Sequence, residues 1–341
     1  MDKIDFVIPW VDGSDPIWME GKNRYESIEK HDAVTVKDIN PECRYREDGL
    51  LRYWFRGVEK FAPWVNRIHF VTCGQRPEWM NVDHPKLHLV DHKDYIPPQY
   101  LPTFSSHVIE LNFHRIEELS EHFVYFNDDV FLLQPVEPSL FFRQGLPVLE
   151  TNLSFPNNIG YNSWSRVVFN DYCVVNNSFN IKRSIFKNWN KWFNIKELGF
   201  ERARKNLLCY MANQKLPVST YGHLAFPHLK SMLQDIWDMH PDFLEQTSIR
   251  RFRSDDGLNQ WLISAWSQAK GQFYPANKNR LGAFFTIRPN NITRIYDVIS
   301  NGSAKQVCIN DSSENTDFEN SAKTIAAAFE KLLPSKSSFE R

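Results

Sequence analysis

Two adjacent carboxylates, Asp128 and Asp129, follow Asn127 at the end of the apolar run Phe123-Val124-Tyr125-Phe126. A short acidic pair suits a hard divalent cation, because Mg²⁺ takes a few carboxylate oxygens and completes its shell with substrate phosphate and water. The same three residues also suit a turn or helix cap, since Asn and Asp side chains bond to nearby backbone amides. Both readings stand at this point.

Asp12-Gly13-Ser14-Asp15 closes the first apolar run of the chain. Gly13 lets backbone amides approach a ligand, and the two carboxylates suit ribose, base or metal contacts; an ordinary Asx turn is the alternative. Arg52 and Arg56 lie four apart and share one helical face, either a diphosphate clamp or a solvated basic face. His223 and His228 flank Pro227, and Arg250, Arg251 and Arg253 follow downstream. Such side chains donate charged hydrogen bonds to phosphate oxygens as negative charge shifts during transfer, although a single histidine commonly serves structure. Zinc is disfavoured, because no cysteine or third histidine stands at ligand spacing.

The scaffold that must position these residues is legible as alternating runs. Ile4–Val11, Arg67–Thr72, Leu87–Val90 and Phe123–Phe126 read as strands, and Leu50, Leu51, Trp54, Val58 and Phe61 recur at helical spacing. Strand, helix, strand predicts an α/β domain with a mostly parallel central sheet flanked by helices and a ligand at the carboxyl ends of the strands. Further helices are expected over Ser106–Leu119, Leu229–Met239 and Leu258–Lys270, whereas residues 17–47 lack a period and read as an insertion or loop. Residues 1–142 and 223–311 form the expected discontinuous core, 143–222 a mixed, largely helical insertion, and 312–341 a linker with an amphipathic helix. That helix, over 321–333, carries Ile325, Ala328, Phe329, Leu332 and Leu333 on one side, suited to packing on its own domain or to peripheral attachment at a membrane.

Composition narrows the function. With 341 residues, 42% of them hydrophobic, the chain can bury a full core, and its 14% aromatic content suits stacking on ring-shaped ligands. A net charge of −1 gives no steering of a large polyanion, so nucleic acid is not an expected partner. Cys43, Cys73, Cys173, Cys209 and Cys308 show no CxxC pairing and read as reduced thiols of a cytoplasmic protein. The first residues lack the basic and apolar pattern of a signal peptide, and no apolar run reaches the roughly 18 residues of a membrane span.

Four blocks in order carry a resemblance: Ile4–Asp15 (IDFVIPWVDGSD), Leu50–Asp129 (including LLRYWFRGVEKFAPWVNRIHFVT, LPTFSSHVIE and FVYFNDD), His223–Asn259, and Val307–Asp311 (VCIND). Together they resemble the Stealth family of hexose-1-phosphate transferases, which includes bacterial capsule polymerases and the lysosomal-enzyme GlcNAc-1-phosphotransferase. The resemblance implies a GT-A-like core with added helices, a UDP-sugar donor such as UDP-GlcNAc or a related hexose, Mg²⁺ or Mn²⁺, and a glycan acceptor. It implies attack of an acceptor hydroxyl on the phosphorus bearing the sugar, departure of UMP, and a phosphodiester in capsule, exopolysaccharide or cell-wall glycan.

Residue by residue, the resemblance implies that Asp12, Gly13 and Asp15 seat the nucleotide, with Arg52 and Arg56 near the donor phosphates. Asp128 becomes the leading metal ligand, Asp129 shares the metal or takes the acceptor proton, and Asp311, with Asn310, completes the metal or donor site. Ser106, His107 and Glu110 line the sugar or acceptor region. His228 and Arg253 stabilise the transition state, with His223 close behind. Two rivals remain at this level: a conventional GT-A glycosyltransferase that releases UDP, and a non-catalytic carbohydrate-binding protein that retains the fold.

Overall fold

Ile4 to Ile8 are buried on both faces of β1 (Ile4–Pro9), as a central parallel strand requires. The computed structural model describes residues 3–29, 42–153, 163–212, 223–277 and 282–341. β2 (Ile68–Thr72) pairs in parallel with β1, β3 (Leu87–Asp91) extends the sheet beyond β2, and β4 (His122–Tyr125) lies in parallel on the other side of β1. After a tight turn, β5 (Val130–Leu132) leaves this sheet. β6 (Phe142–Arg143) and β7 (Leu146–Glu150) form a hairpin that turns on Gln144 and Gly145, both at positive φ (55° and 72°), the handedness that a two-residue hairpin loop needs. β8 (Phe226–Leu229) returns antiparallel to β4 and completes the order β3-β2-β1-β4-β8. This is the mostly parallel, GT-A-like α/β sheet that the sequence predicts.

Two smaller sheets extend the core. β7 runs parallel to β9 (Tyr274–Ala276), so the first strand of the expected 143–222 insertion is built into a sheet with a much later segment. β10 (Gly282–Thr286) runs parallel to β11 (Gln306–Asn310), and β11 pairs antiparallel with β5, setting Cys308 opposite Val130. The centre of the core is aromatic: Phe6, Trp54 and Phe126 are buried, with ring centroids 4.8 Å (Phe6–Phe126) and 5.4 Å (Trp54–Phe126) apart.

The segment after Asp15 differs from the expected loop: it forms α1 (Pro16–Glu29). Proline occupies the first helical position, and the Asp15 carboxylate accepts from the Ile17 and Trp18 amides at 2.9 and 3.4 Å, so capping starts a helix with little apolar period. Residues 30–41 of the expected loop lie outside the described residues. α2 (Leu51–Phe61) matches its helical pattern. α3 (Ser106–Leu111) is shorter than the expected Ser106–Leu119, because the Asn112 side-chain amide donates to Val108 O at 2.8 Å and a 3₁₀ turn follows. Between 163 and 212 stand α4 (Ser163–Ser178), α5 (Ile181–Lys187), α6 (Trp189–Trp192) and α7 (Phe200–Ala212). α8 (Lys230–Met239) follows β8, and α9 (Trp261–Ala269) packs against α4, with Phe179 edge-on to Trp266 at 4.7 Å.

The amphipathic C-terminal helix, α10 (Phe318–Leu332), spends its apolar side on the protein itself. Ile325, Ala328 and Phe329 are buried, and Phe329 stacks on Tyr53 of α2 at 5.4 Å. Of the two readings of this helix, packing on its own core is the one observed, and its apolar face is unavailable to a membrane. Among the described residues no helix is long and apolar enough to cross a membrane.

Candidate active site

The cleft lies where an α/β sheet places ligands, beyond the carboxyl ends of β1 and β4. β1 delivers Pro9, Trp10 and Val11 to its wall, and β4 ends in Asn127-Asp128-Asp129, a turn closed by Val130 N donating to Asn127 O at 3.1 Å. The expected turn is formed, and it aims the carboxylates into a cleft of about 240 Å³. β11 docks beside it, with Ile309 N donating to Asp129 O at 2.9 Å, and brings Asn310 and Asp311 to the same wall.

One side of the cleft is acidic. Asp128 has its carboxyl pushed up to about 8, first by burial and then by the charges of Asp129, Asp48 and Glu47. Asp48 is pushed up to about 7 by burial, with Glu47 and Asp129 adding to it. Both side chains reach solvent through the cleft mouth, so their desolvation comes from protein walls around an opening rather than from full enclosure. Burial also raises Asp129, against the Cys308 thiol that donates to its Oδ2 at 3.3 Å and the nearby His223 and Arg44. Asp129 Oδ1 is buried without a hydrogen-bond partner among the described residues.

Two arginines line the same cleft. Arg44 has its guanidinium pushed down to about 10 by burial and by Arg253, which marks two cations held together without enough counter-charge. Arg253 Nη2 donates to Ser106 Oγ at 2.6 Å. Glu110 on α3 is raised by burial, while Arg253 and the hydrogen bonds from Tyr125 and Ser106 pull it down; Tyr125 O–H lies 2.8 Å from its Oε1 and also contacts Asn127 Oδ1. His107 lines the cleft and is kept neutral by burial and by the two arginines. His223 stacks on Phe284 at 5.0 Å and is held below the usual histidine range by burial, with Asp129 opposing.

The residues singled out in the sequence divide sharply. Asp128, Asp129, Asp311, His223, Arg253, Ser106, His107 and Glu110 line one cleft. His228 does not. It sits opposite Phe123, two residues deeper into the sheet than Phe226, which pairs with Tyr125 and does line the cleft. Its placement corrects the catalytic role expected for it. Arg56 is likewise corrected: it is 6% exposed, lies off the cleft wall, and spends four of its five N–H groups on Glu340 at 2.8 and 3.0 Å, Glu330 at 2.9 Å and Leu333 O at 2.8 Å. Its guanidinium fastens α2 to the C-terminal segment. Arg52 lies 5.7 Å from the Trp79 ring, off the cleft wall.

Asp12 and Asp15 also stand behind the wall. Asp12 Oδ1 accepts from Ser14 N at 2.8 Å and from its hydroxyl, the Asx-turn alternative, and Asp15 caps α1 and receives Gln75 Nε2 at 2.9 Å. Gly13 serves a close approach, since a Cβ there would meet Tyr45 O at 1.8 Å; its missing side chain lets the Glu42–Asp48 segment lie against β1's end. Asp311 borders the cleft, but its oxygens are taken by Arg46 at 3.3 Å, Asn315 at 2.8 Å and Ser312 N at 2.9 Å. No three acidic, imidazole or thiol groups converge on a metal position among the described residues, so the expected three-aspartate ligand set is not formed. Sequence reading missed Arg44, Glu47 and Asp48. The signal was the dense charge of Arg44-Tyr45-Arg46-Glu47-Asp48 directly before a helix.

A mostly parallel sheet with a charged cleft at its strand ends places the fold in the GT-A-like class. A model described as Stealth protein CR2, conserved region 2, matches residues 44–148, and one described as Stealth protein CR1, conserved region 1, matches residues 2–30. The capsular polysaccharide phosphotransferase WcwK of Streptococcus pneumoniae is 41% identical over 343 residues, covering all of both chains. The receptor polysaccharide phosphotransferase WefC of Streptococcus oralis is 40% identical over 343 residues, again covering all of both. The chain belongs to the Stealth family. A crystal structure of the galactosyltransferase LgtC with donor and acceptor sugar analogues aligns over 98% of both chains at a TM-score of 0.39 and 11% identity; at that distance the fold is defined by the strand order itself.

Proposed function

We propose that the chain transfers a sugar 1-phosphate from a UDP-sugar to a hydroxyl of an acceptor glycan, in capsule or cell-wall polysaccharide synthesis. The observation that carries this reading is the charge set of the cleft: Asp48, Asp128 and Asp129 line it together with Arg44 and Arg253. The polysaccharide phosphotransferases that match over their full length support the same reaction class.

The acidic side fits Mg²⁺ or Mn²⁺ in one respect that geometry supplies: Asp129 Oδ1 is a buried oxygen without a hydrogen-bond partner among the described residues, beside Asp128. Asp128 and Asp129 would hold the ion, a small carboxylate set of the kind Mg²⁺ accepts when substrate phosphate and water supply the remaining ligands. The cation supplies charge neutralisation at the diphosphate. Arg253 and Arg44 donate to phosphoryl oxygens, since fixed cations stabilise developing charge without reorganising. Glu110, near Ser106 and Tyr125, orients sugar hydroxyls. His223, kept neutral and close to Asp129, takes the acceptor proton. The acceptor oxygen forms the new bond to phosphorus, the bond to UMP breaks, and the sugar C1–O bond stays intact.

The test is incubation of the purified chain with UDP-sugars, Mg²⁺ and short acceptor glycans, following the nucleotide released and the phosphorus NMR of the product. UMP and a phosphodiester resonance are expected. Release of UDP would assign the protein to conventional glycosyl transfer instead.

A further inference from the structure

The helices between 163 and 212 carry a surface that the cleft does not use. On α7, Phe200, Arg204, Leu208 and Met211 fall on one face at spacings of four, four and three, while Ala203, Asn206 and Cys209 on the other side are buried. Tyr210, at the edge between the two sides, packs against Trp189 of α6 at 6.2 Å and lies under Lys182 of α5 at 5.5 Å, so α5 and α6 meet that edge of α7. Phe186, Trp189, Phe200, Leu208 and Met211 are 45–68% exposed. A lone exposed apolar side chain is ordinary; five large ones within three neighbouring helices call for an occupant.

Charge identifies the occupant. Residues 163–212 hold nine lysines and arginines against three acidic residues, in a chain whose net charge is −1. Of those three, Asp171 is buried with its carboxyl held well above the usual range by that burial, Glu197 pairs with Arg143, and Glu201 pairs with Arg204; Arg166 and Arg202 are paired with Asp255 and Glu150, which leaves six cations without an acidic partner among the described ion pairs. Arg183, Lys187 and Lys196 are exposed, and the stretch 181–196 contains no acidic residue.

We propose that this face docks the protein on the anionic surface of a lipid bilayer, its apolar side chains entering the interface and its lysines and arginines meeting acidic headgroups. Leucine and methionine beside the aromatics favour acyl chains over a glycan, which is held by flat aromatic stacking. A like-charged second copy of the same face is disfavoured by repulsion. The proposal goes beyond the transfer reaction and does not depend on it.

The experiment is flotation of the full chain with vesicles of phosphatidylcholine alone and with about a third phosphatidylglycerol. Binding to the anionic vesicles is expected to be about tenfold or more tighter, and to weaken at high salt. The triple change Phe186→Ser, Trp189→Ser, Leu208→Ser and, separately, the double change Arg183→Glu, Lys187→Glu should each lose it, with far-ultraviolet circular dichroism unchanged. Absence of binding by the unaltered chain, equal binding to neutral vesicles, or undiminished binding by the Arg183→Glu, Lys187→Glu variant overturns the proposal. So does light scattering that shows a dimer dissolved by the apolar substitutions, which assigns the face to a second copy, or retention of a phosphodiester glycan by this face in place of vesicles.

Discussion

The Cys308 thiol donates a hydrogen bond to Asp129 Oδ2 across 3.3 Å, while Oδ1 of the same carboxylate has no hydrogen-bond partner among the described residues. Burial and the Asp129 charge hold the thiol well above its ordinary range, so it stays a donor. One oxygen is thereby anchored and the other left for the cleft. Cys308→Ser keeps a donor and should retain most of the rate of UMP release. Cys308→Val removes it and should lower the rate about tenfold, in line with leaving a buried carboxylate oxygen unpaired. Without the donor Asp129 titrates higher, so the acid limb of the pH–rate profile should move to higher pH. A valine variant with the wild-type rate and profile would discard this role.

Asp128 and Asp48, at about 8 and about 7, titrate above the ordinary aspartate value of 3.8. The folded state therefore holds these protons longer than the unfolded chain. Stability from this source is fully present below the unfolded value, about pH 4, and is lost as pH rises through the folded values. Solvent at the cleft mouth screens part of the effect, so the slope should be shallower than the shifts alone imply. In chelator, the melting temperature should fall between about pH 5 and pH 8, Asp128→Asn should flatten that fall, and Mg²⁺ or Mn²⁺ should raise it most at the upper end. Identical slopes for the wild type and Asp128→Asn would show that the carboxylates do not repel.

Arg56 is a fastener, and its removal should read as lost stability. The Glu340 side chain is 2% exposed, so Arg56→Met leaves it buried without its cation, a loss of about 3–5 kcal/mol in chemical denaturation. The donor KM of the folded fraction should stay unchanged. A raised KM with full stability would return Arg56 to the phosphates.

Arg253 and Arg250 are close in sequence and should behave oppositely. Arg253→Ala removes a cleft cation bonded to Ser106 and should lower the rate about 10²–10³-fold. Arg250 pairs with Asp256 at the exposed surface, and Arg250→Ala should stay within about twofold of wild type. Steady-state rates of UMP release for the two variants decide this, and equal losses would argue against a specific role for Arg253.

Features that depend on neighbouring residues were legible in the amino-acid order. The continuous apolar runs gave β1, β2 and β4, the helical spacing from Leu51 to Phe61 gave α2, and Asn127-Asp128-Asp129 had to follow a buried strand. Which charged side chains face the cleft was settled by tertiary contacts, because each choice turns on a partner far along the chain. Arg56 finds Glu340 284 residues away and leaves the phosphate side. Antiparallel pairing of β5 with β11 carries Cys308 across 179 residues to Asp129. His223 and His228 look alike in sequence, and the register of β8 against β4 puts one in the cleft and the other inside the sheet. Local period and turn chemistry fix elements; burial, register and charge pairing between distant segments fix the site.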